Sequence, residues 1–419
     1  MLQNEAMNII RVPQLAWYQT QELELPLPDS WRVEMYNMAG YNRPALKPEE
    51  IKASICNPID GQPIRELAKG KKEVVIIFDD ITRVTRVAEI VPVVLEELAE
   101  AGIPDNRIRF IVALGLHSAM WRQHFVKKLG EEVVARFSIY NHNPFYNCTY
   151  LGTTSTYKTK VYINDEVMKC DLKIAIGSVV PHYMNGFGGG GKILLPGVAS
   201  FETIDWNHMM WYKSSQEDRD KPVIGTGIFD DNPLHSDIDE GASLVGLDML
   251  INCIVNKWGE TVSVYAGAMK SVHTAAVKES KTHYLTPRVK GKDVVIVNTF
   301  AKANEANIGL HIAYSAVKEE GGDVVLITNA PEGQVTHYLL GPFGKTTWAK
   351  QHQRSVVPRH VNKVIIYSKY PHRGSSWLEE DDRILYLDNW DEVSKLLQKS
   401  HGADTKVAVY PNAEIQYCS

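Results

Sequence analysis

Residues 174–208, with the sequence IAIGSVVPHYMNGFGGGGKILLPGVASFETIDWNH, connect an apolar run to a glycine-rich loop and three reactive side chains. The apolar run, residues 172–176, is typical of a short buried strand. Consecutive glycines let backbone N–H groups approach a ligand closely, and concave N–H arrays favour phosphate. Lys192 follows and supplies a charge or a nucleophilic amine, while His182 and His208 flank the loop. The glycines are Gly188, Gly189, Gly190 and Gly191.

The glycine loop only partly matches a nucleotide-triphosphate motif. Gly-x-x-x-x-Gly-Lys is present from Gly186 to Lys192, but Ile193 stands where a serine or threonine would hold magnesium. This departure argues against a P-loop ATPase. The alternative without a function is a flexible glycine-rich loop beside a sheet.

Composition limits the classes of protein that fit. A length of 419 residues predicts two or three domains. Because 44% of the residues are hydrophobic and 23% are charged, each domain can bury a hydrophobic core of ordinary size. The net charge of −5 argues against nucleic-acid binding. No apolar run reaches membrane-spanning length, and no basic-then-apolar signal opens the chain. Five scattered cysteines without a CxxC pair indicate reduced thiols, so we expect a cytoplasmic protein.

Polar side chains follow several predicted strands of the first half. Residues 73–78 form a continuous apolar run, suited to a central parallel strand, that leads to Asp80 and Arg83. A second strand, residues 107–114, is followed by His117, and the strand at residues 172–176 leads to His182. Ligands of open α/β sheets bind at the carboxyl ends of the strands, so these groups predict a site there. A single histidine is more often structural, and His142 is interpreted as a loop residue.

A second α/β pattern follows a predicted linker at residues 282–292. The last predicted element of this pattern is a strand at residues 406–410. We therefore predict an α/β fold of two domains with mainly parallel sheets and the active site in the cleft between them. The predicted domains are residues 1–280, which bind the cofactor, and 281–419, whose extreme C-terminus packs back on the first. The strands are residues 293–297, 324–328, 363–367 and 383–387, and the helix is residues 306–319.

Several motifs together resemble those of the lactate racemase family, whose members use a nickel-pincer nucleotide. Residues 79–83 (DDITR), 113–117 (ALGLH) and 177–192 (GSVVPHYMNGFGGGGK) carry the resemblance. Pro196-Gly197, Asn207-His208 and Asn232-Pro233 continue it. The resemblance covers most of residues 70–270 and extends more loosely over the second domain.

The resemblance implies a cofactor and the residues that hold it. The cofactor is pyridinium-3,5-bisthiocarboxylic acid mononucleotide nickel, and His208 occupies the position of the nickel-binding histidine. Lys192 occupies the position that links covalently to the cofactor as a thioamide. Asp80 and Thr82, with the four glycines 188–191, are the further cofactor-binding candidates.

The resemblance also implies catalytic and substrate-binding residues. His117 and His182 match the two acid/base histidines, each taking the hydroxyl proton of one enantiomer while hydride moves to the cofactor. Arg83 is the candidate for binding a substrate carboxylate. The family's Gln and Lys in the second domain correspond to about Ala306 and Gly309, neither of which can bind a carboxylate. Nearby polar candidates are Lys302, which we prefer, Asn304, Glu305 and Asn307.

We therefore expect an isomerase that inverts a hydroxyl-bearing carbon of a 2-hydroxy acid or a related polyhydroxylated compound. Its expected partners are that small hydroxy acid or sugar-derived substrate and, transiently, cofactor-synthesis proteins. Nucleic acid and membranes are excluded, and a homo-oligomer is compatible with the sequence. Two alternatives stay open: a non-catalytic nickel-pincer binding or handling protein, and a nicotinamide-dependent dehydrogenase. The latter lacks a Gly-x-Gly-x-x-Gly after residues 73–78.

Overall fold

The computed structural model describes residues 7–217, 223–339, 356–370 and 381–418, and these form a mixed α/β fold. The strands are β1 (Met7–Gln14), β2 (Gln21–Pro28), β3 (Arg32–Met35), β4 (Val74–Asp79), β5 (Ile108–Ala113), β6 (Ser138–Asn141), β7 (Cys148–Thr153), β8 (Lys160–Asn164), β9 (Leu172–Ser178), β10 (Pro181–His182), β11 (Gly186–Phe187), β12 (Met249–Val255), β13 (Thr261–Gly267), β14 (Leu285–Thr286), β15 (Val294–Thr299), β16 (Gly322–Thr328), β17 (Val361–Tyr367), β18 (Ile384–Leu387), β19 (Lys406–Tyr410) and β20 (Tyr417–Cys418).

The helices alternate with many of these strands. They are α1 (Pro48–Cys56), α2 (Ile64–Leu67), α3 (Val87–Glu100), α4 (Arg122–Leu129), α5 (Glu131–Arg136), α6 (Asp165–Met168), α7 (Phe201–Glu217), α8 (Pro233–Ser243), α9 (Met269–His283), α10 (Leu310–Ala316) and α11 (Trp390–Ser400). Short 3-10 turns cover Asp105–Arg107, Gly190–Ile193 and Ala303–Gly309. No helix in the described part of the chain is long and apolar enough to cross a membrane.

The first sheet has the strand order β13-β12-β9-β4-β5-β6 and is parallel except for β13. Its central strands β4 and β9 are buried along their whole length, as expected of strands covered on both faces. Alternate side chains therefore enter different cores: Ile76 and Phe78 pack with α3, while Val75 and Ile77 pack in the core that also contains Leu234 of α8. Because β4, β5 and β9 pair in parallel, their carboxyl ends lie at the same edge of this sheet.

The second sheet has the order β18-β17-β16-β15-β19-β3 and is parallel throughout. Its edge strand β3 comes from the N-terminal segment, where Arg32 pairs with Lys406. The β1–β2 hairpin also packs on this sheet through Val12 and Leu27. At the other end of the chain, β20 pairs with β14. The second sheet thus uses residues from both ends of the chain.

The predicted α/β fold is confirmed, but two local predictions were wrong. The predicted helix 306–319 is a 3-10 turn, Ala303–Gly309, followed by the short α10. The predicted linker 282–292 begins inside α9 and includes β14. Helix α9 was missed because its buried residues, such as Val272 and Ala276, are few among polar ones.

Candidate active site

The first part of the site lies where β4 and β5 end. Asp80 follows β4, and its Oδ1 accepts hydrogen bonds from the backbone N–H of Thr82 (2.9 Å) and from its hydroxyl (2.5 Å). Its Oδ2 lies 2.5 Å from Nδ1 of His117, which follows β5. Burial alone would raise the pKa of Asp80, but His117 and Arg83 hold this pKa well below its usual range. Asp80 therefore accepts the Nδ1 proton of His117, and Nε2 is the nitrogen left to exchange a proton with a ligand.

A buried ion pair stabilises the carboxyl end of β4. Lys128 of α4 is fully buried, and its Nζ donates to Asp79 Oδ1 at 2.6 Å and to the carbonyl of Thr85 at 3.0 Å. Burial raises the pKa of Asp79 and lowers that of Lys128, and their mutual attraction opposes both shifts. Removing one partner would leave an uncompensated buried charge. The pair therefore holds the turn that carries Asp80 and Arg83.

His182 lies on the short β10–β11 hairpin after β9. Its Nδ1 accepts the backbone N–H groups of Met184 and Asn185, each at 3.2 Å. A neutral ring held in this way carries its proton on Nε2. Burial, and then the positive charges of Lys192, Lys302 and others, lower the pKa of His182 well below its usual value. His182 is therefore neutral at pH 7, and its Nδ1 accepts hydrogen bonds where Nδ1 of His117 donates one.

The glycine loop delivers Lys192 to the site. Gly189 and Gly190 have positive φ values of 79° and 59°, and a Cβ on Gly190 would lie 2.0 Å from Nδ1 of His273. Only glycine fits there. The N–H groups of Gly188, Gly190 and Lys192 donate to Val180, Asn252 and Gly189, respectively. These three N–H groups thus stabilise the loop's own conformation.

The amine of Lys192 is partly neutral at physiological pH. Burial, and then the charges of Arg83 and Lys302, lower its pKa from 10.5 to about 7. A neutral amine is a nucleophile, whereas an ammonium group is not. This electrostatic environment fits the covalent attachment that the resemblance implies for Lys192.

A carboxylate of the chain itself occupies the part of the site expected to bind substrate. Glu305 is 5% exposed, and its Oε2 lies 2.5 Å from Nη1 of Arg83 and 3.2 Å from Nζ of Lys302. Its Oε1 lies 3.6 Å from Nε2 of His117. Burial would raise the pKa of Glu305, but Arg83, Lys302 and His117 lower it to about 2. Glu305 is therefore ionised and already pairs with both cations that the sequence suggested for a substrate carboxylate.

His208 lies on helix α7, which follows the glycine loop. Its Nδ1 is 3.0 Å from the carbonyl oxygen of Ile204, one turn earlier, so Nδ1 carries the proton that is donated. This tautomer places the lone pair on Nε2, as a metal ligand requires. A metal-binding role for His208 fits this arrangement.

The second half of the chain adds residues that sequence reasoning missed. Residues 336–338 pair with the loop that follows β5. The N–H of Ser118 donates to the carbonyl of Thr336, and the N–H of Tyr338 donates to the carbonyl of Leu116. His337 thereby comes to 5.3 Å from His117, measured between ring centroids. Its position in a polar stretch without periodicity gave no local signal.

Two other side chains were also difficult to assign from sequence. Tyr183 stacks on His182 and on His311, with centroid distances of 5.2 and 5.5 Å. His142 is a structural residue: it is 3% exposed, and its ring nitrogens contact Ala199 O at 2.7 Å and Asn164 Nδ2 at 3.0 Å. Hydrogen bonds and ion pairs join Arg83 to Thr82 and, through Glu305, to Lys302 and His117. His142 lies outside this group.

Known proteins resemble this chain in sequence and fold. The model of the lactate racemase N-terminal domain matches residues 18–220. Lactate racemase from Thermoanaerobacterium thermosaccharolyticum is 28% identical over 358 residues, which are 83% of this chain and 80% of the relative. Lactate racemase from Lactiplantibacillus plantarum is 29% identical over 308 residues, or 70% and 69% of the two chains.

Two solved structures share the fold. The lactate racemase apoprotein from T. thermosaccharolyticum superposes with a TM-score of 0.73 at 22% identity, covering 98% of this chain and all of that one. A Thermotoga maritima protein superposes with a TM-score of 0.64 at 18% identity, covering 90% of this chain and all of that one. Together with the sequence relatives, they show that the chain is similar to lactate racemases in sequence and shares the fold of the lactate racemase apoprotein.

Proposed function

We propose that this chain is a racemase or epimerase that inverts a hydroxyl-bearing carbon of a 2-hydroxy acid or a related polyhydroxylated compound. The observation that carries the proposal is that the two histidines near Arg83 are held in opposite ways: Nδ1 donates a hydrogen bond in His117 and accepts hydrogen bonds in His182. Asp80 binds the Nδ1 proton of His117, so Nε2 is the nitrogen that can exchange a proton with the substrate. His182 carries its proton on Nε2 because two backbone N–H groups occupy Nδ1. One ring can accept a hydroxyl proton while the other donates one, as inversion through a carbonyl compound requires.

The residues present also fit the family's cofactor. Lys192 has a nucleophilic amine for covalent attachment, and His208 has the tautomer that a nickel ligand needs. When bound, a nickel-pincer nucleotide supplies a reversible hydride acceptor. The protein's part is to hold it, to orient the substrate and to move the hydroxyl proton at Nε2 of His117 and of His182.

Glu305 narrows the proposed substrate. A carboxylate bound at Arg83 would meet Glu305, which is ionised, buried and already paired with Arg83 and Lys302. Two carboxylates that share the same arginine repel each other strongly in a buried site. Hydroxyl groups instead can donate to Glu305 and accept from Arg83 or Lys302. A polyhydroxylated substrate therefore fits this part of the site better than lactate does.

The test uses protein produced together with the cofactor-synthesis enzymes and verified by intact mass and nickel analysis. Single enantiomers of 2-hydroxy acids and sugar acids are incubated with it in deuterium oxide without added NAD. We expect inversion in which the carbon keeps its own hydrogen, with polyhydroxylated acids turning over faster than lactate. Fully loaded protein that inverts no compound would support the cofactor-handling alternative, and a requirement for NAD would support the dehydrogenase.

A further inference from the structure

Three potential metal ligands lie together on α8 and α9, on the side of the glycine loop that faces these helices. His235 and Asp239 are one turn apart on α8, so they share a face of that helix. His273 projects from α9 and packs against Gly190 of the loop. None of the three belongs to the set of histidines around Arg83.

The donor atoms of this His-Asp-His cluster are already close to one another. One ligand atom from each residue lies within 4.8 Å of the others, and His235 Nε2 is 3.4 Å from Asp239 Oδ2. A tetrahedral zinc ion with bonds of roughly 2.0–2.1 Å holds its ligand atoms roughly 3.3 Å apart. Modest side-chain movement would therefore bring all three atoms to an ion.

Two buried nitrogens in the cluster lack the partner that such atoms ordinarily have. Nδ1 of His235 and Nδ1 of His273 are buried without a hydrogen-bond partner among the residues that the structure describes. Nε2 of His273 is 2.9 Å from the carbonyl oxygen of Gly188 and donates to it, so Nδ1 holds a lone pair. Because buried polar atoms are nearly always paired, the lone pair on Nδ1 of His273 indicates a missing ligand.

The cluster is also held in place and suitably charged. The ring of Phe229 lies 4.1 Å from that of His235 and 5.0 Å from that of His273, between centroids, which restricts both imidazoles. Two imidazole nitrogens and a carboxylate suit a cation and oppose a phosphate.

We propose that His235, Asp239 and His273 form a second metal site, which binds one divalent transition-metal ion such as zinc. Two imidazoles and a carboxylate are a common ligand set for zinc and for other borderline divalent ions. The ion would join α8 to α9 under the glycine loop, and so stabilise the loop that carries Lys192. It is separate from the nickel for which His208 is the ligand.

Metal binding by tag-free protein without the pincer cofactor tests this site. After treatment with a chelator and its removal, zinc chloride is titrated by calorimetry, the bound metal is counted by mass spectrometry, and the melting temperature is measured with and without zinc. We expect one zinc per chain and a zinc-dependent rise in melting temperature. His273→Gln and Asp239→Asn should each weaken zinc binding by about 10- to 100-fold or more, since even residues that only orient a ligand have effects of this size.

The controls separate this site from nonspecific binding and from unfolding. His401→Gln removes a histidine that pairs with Asp323 at 2.9 Å in the second sheet, and it should bind zinc as the wild type does. Asp239 has a side chain that is 26% exposed, so Asp239→Asn keeps the test valid if His273→Gln does not fold. Absence of zinc binding by the wild type, equal binding by the folded Asp239→Asn variant, or binding of inorganic phosphate in place of zinc would overturn the proposal.

Discussion

Replacing Glu305 with glutamine should shift substrate preference toward small 2-hydroxy acids. The substitution keeps the size of the side chain and removes the negative charge that Arg83 and Lys302 share. In the wild type, Oε2 of Glu305 lies 2.5 Å from Arg83 and 3.2 Å from Lys302. A glutamine amide pairs with these cations less strongly, so the guanidinium becomes accessible to a carboxylate of the substrate.

The size of the shift follows from the strength of one charged hydrogen bond. Such a bond contributes roughly 1.5–3 kcal/mol, which corresponds to about one to two orders of magnitude in affinity. We therefore expect kcat/KM for lactate, relative to that for a polyhydroxylated acid, to rise about 10- to 100-fold in Glu305→Gln. Removing one partner from a buried ion pair should also lower the free energy of unfolding by roughly 3–5 kcal/mol.

The assay compares kcat/KM for both kinds of substrate in cofactor-loaded wild type and Glu305→Gln. Glu97→Gln is the matched control, because Glu97 is also a buried carboxylate that pairs with an arginine, Arg65, at 2.7 Å. It should leave the substrate ratio unchanged. The same ratio in wild type and Glu305→Gln, at equal cofactor content, would refute the role assigned to Glu305.

Four further predictions follow from the same geometry. His117→Ala and His182→Ala should each lower turnover in both directions by about 100-fold or more, with cofactor retained by mass, since both proton transfers lie on one path; near-native turnover would remove that histidine from the mechanism. His208→Ala should lose the cofactor's nickel but keep its far-UV circular dichroism, and unchanged nickel would contradict the ligand role. Labelling of Lys192 by an amine-reactive reagent should have a midpoint near pH 7, where surface lysines remain protonated and unreactive. Burial lowers the pKa of His142 to about 4, so the native state resists a proton that the unfolded chain binds below about pH 6.5. The contribution of His142 to stability should therefore fall by up to about 3 kcal/mol between pH 6.5 and pH 4, and His142→Gln should lose this part of the pH dependence of urea unfolding.

The strands that carry the site were predictable because their own residues specify them. The run VVIIF, residues 74–78, is long enough to be buried on both faces, and polar residues directly follow it. Parallel strands then place Asp80, His117 and His182 at one edge without further information. The same logic located the glycine loop and Lys192, because the strand at residues 172–176 precedes them.

The pairing of distant segments could not be predicted in this way. Glu305 was only one of several polar residues in its segment, and its contact with Arg83 depends on how the second half folds over the first. His337 depends on a β-bridge with His117 that no local pattern encodes. The unpartnered nitrogens of His235 and His273 become visible only when α8 and α9 are packed together.

The second sheet also determines when this protein can complete its fold during synthesis. Strand β3 leaves the ribosome early, yet Arg32 pairs with Lys406, which is made near the end of the chain. Until then, Val12 and Leu27 of the preceding hairpin lack the core that covers them. Contacts between such distant residues form slowly, and an uncovered strand edge invites aggregation. The apolar side chains of the N-terminal hairpin therefore stay uncovered until the last parallel strand is made.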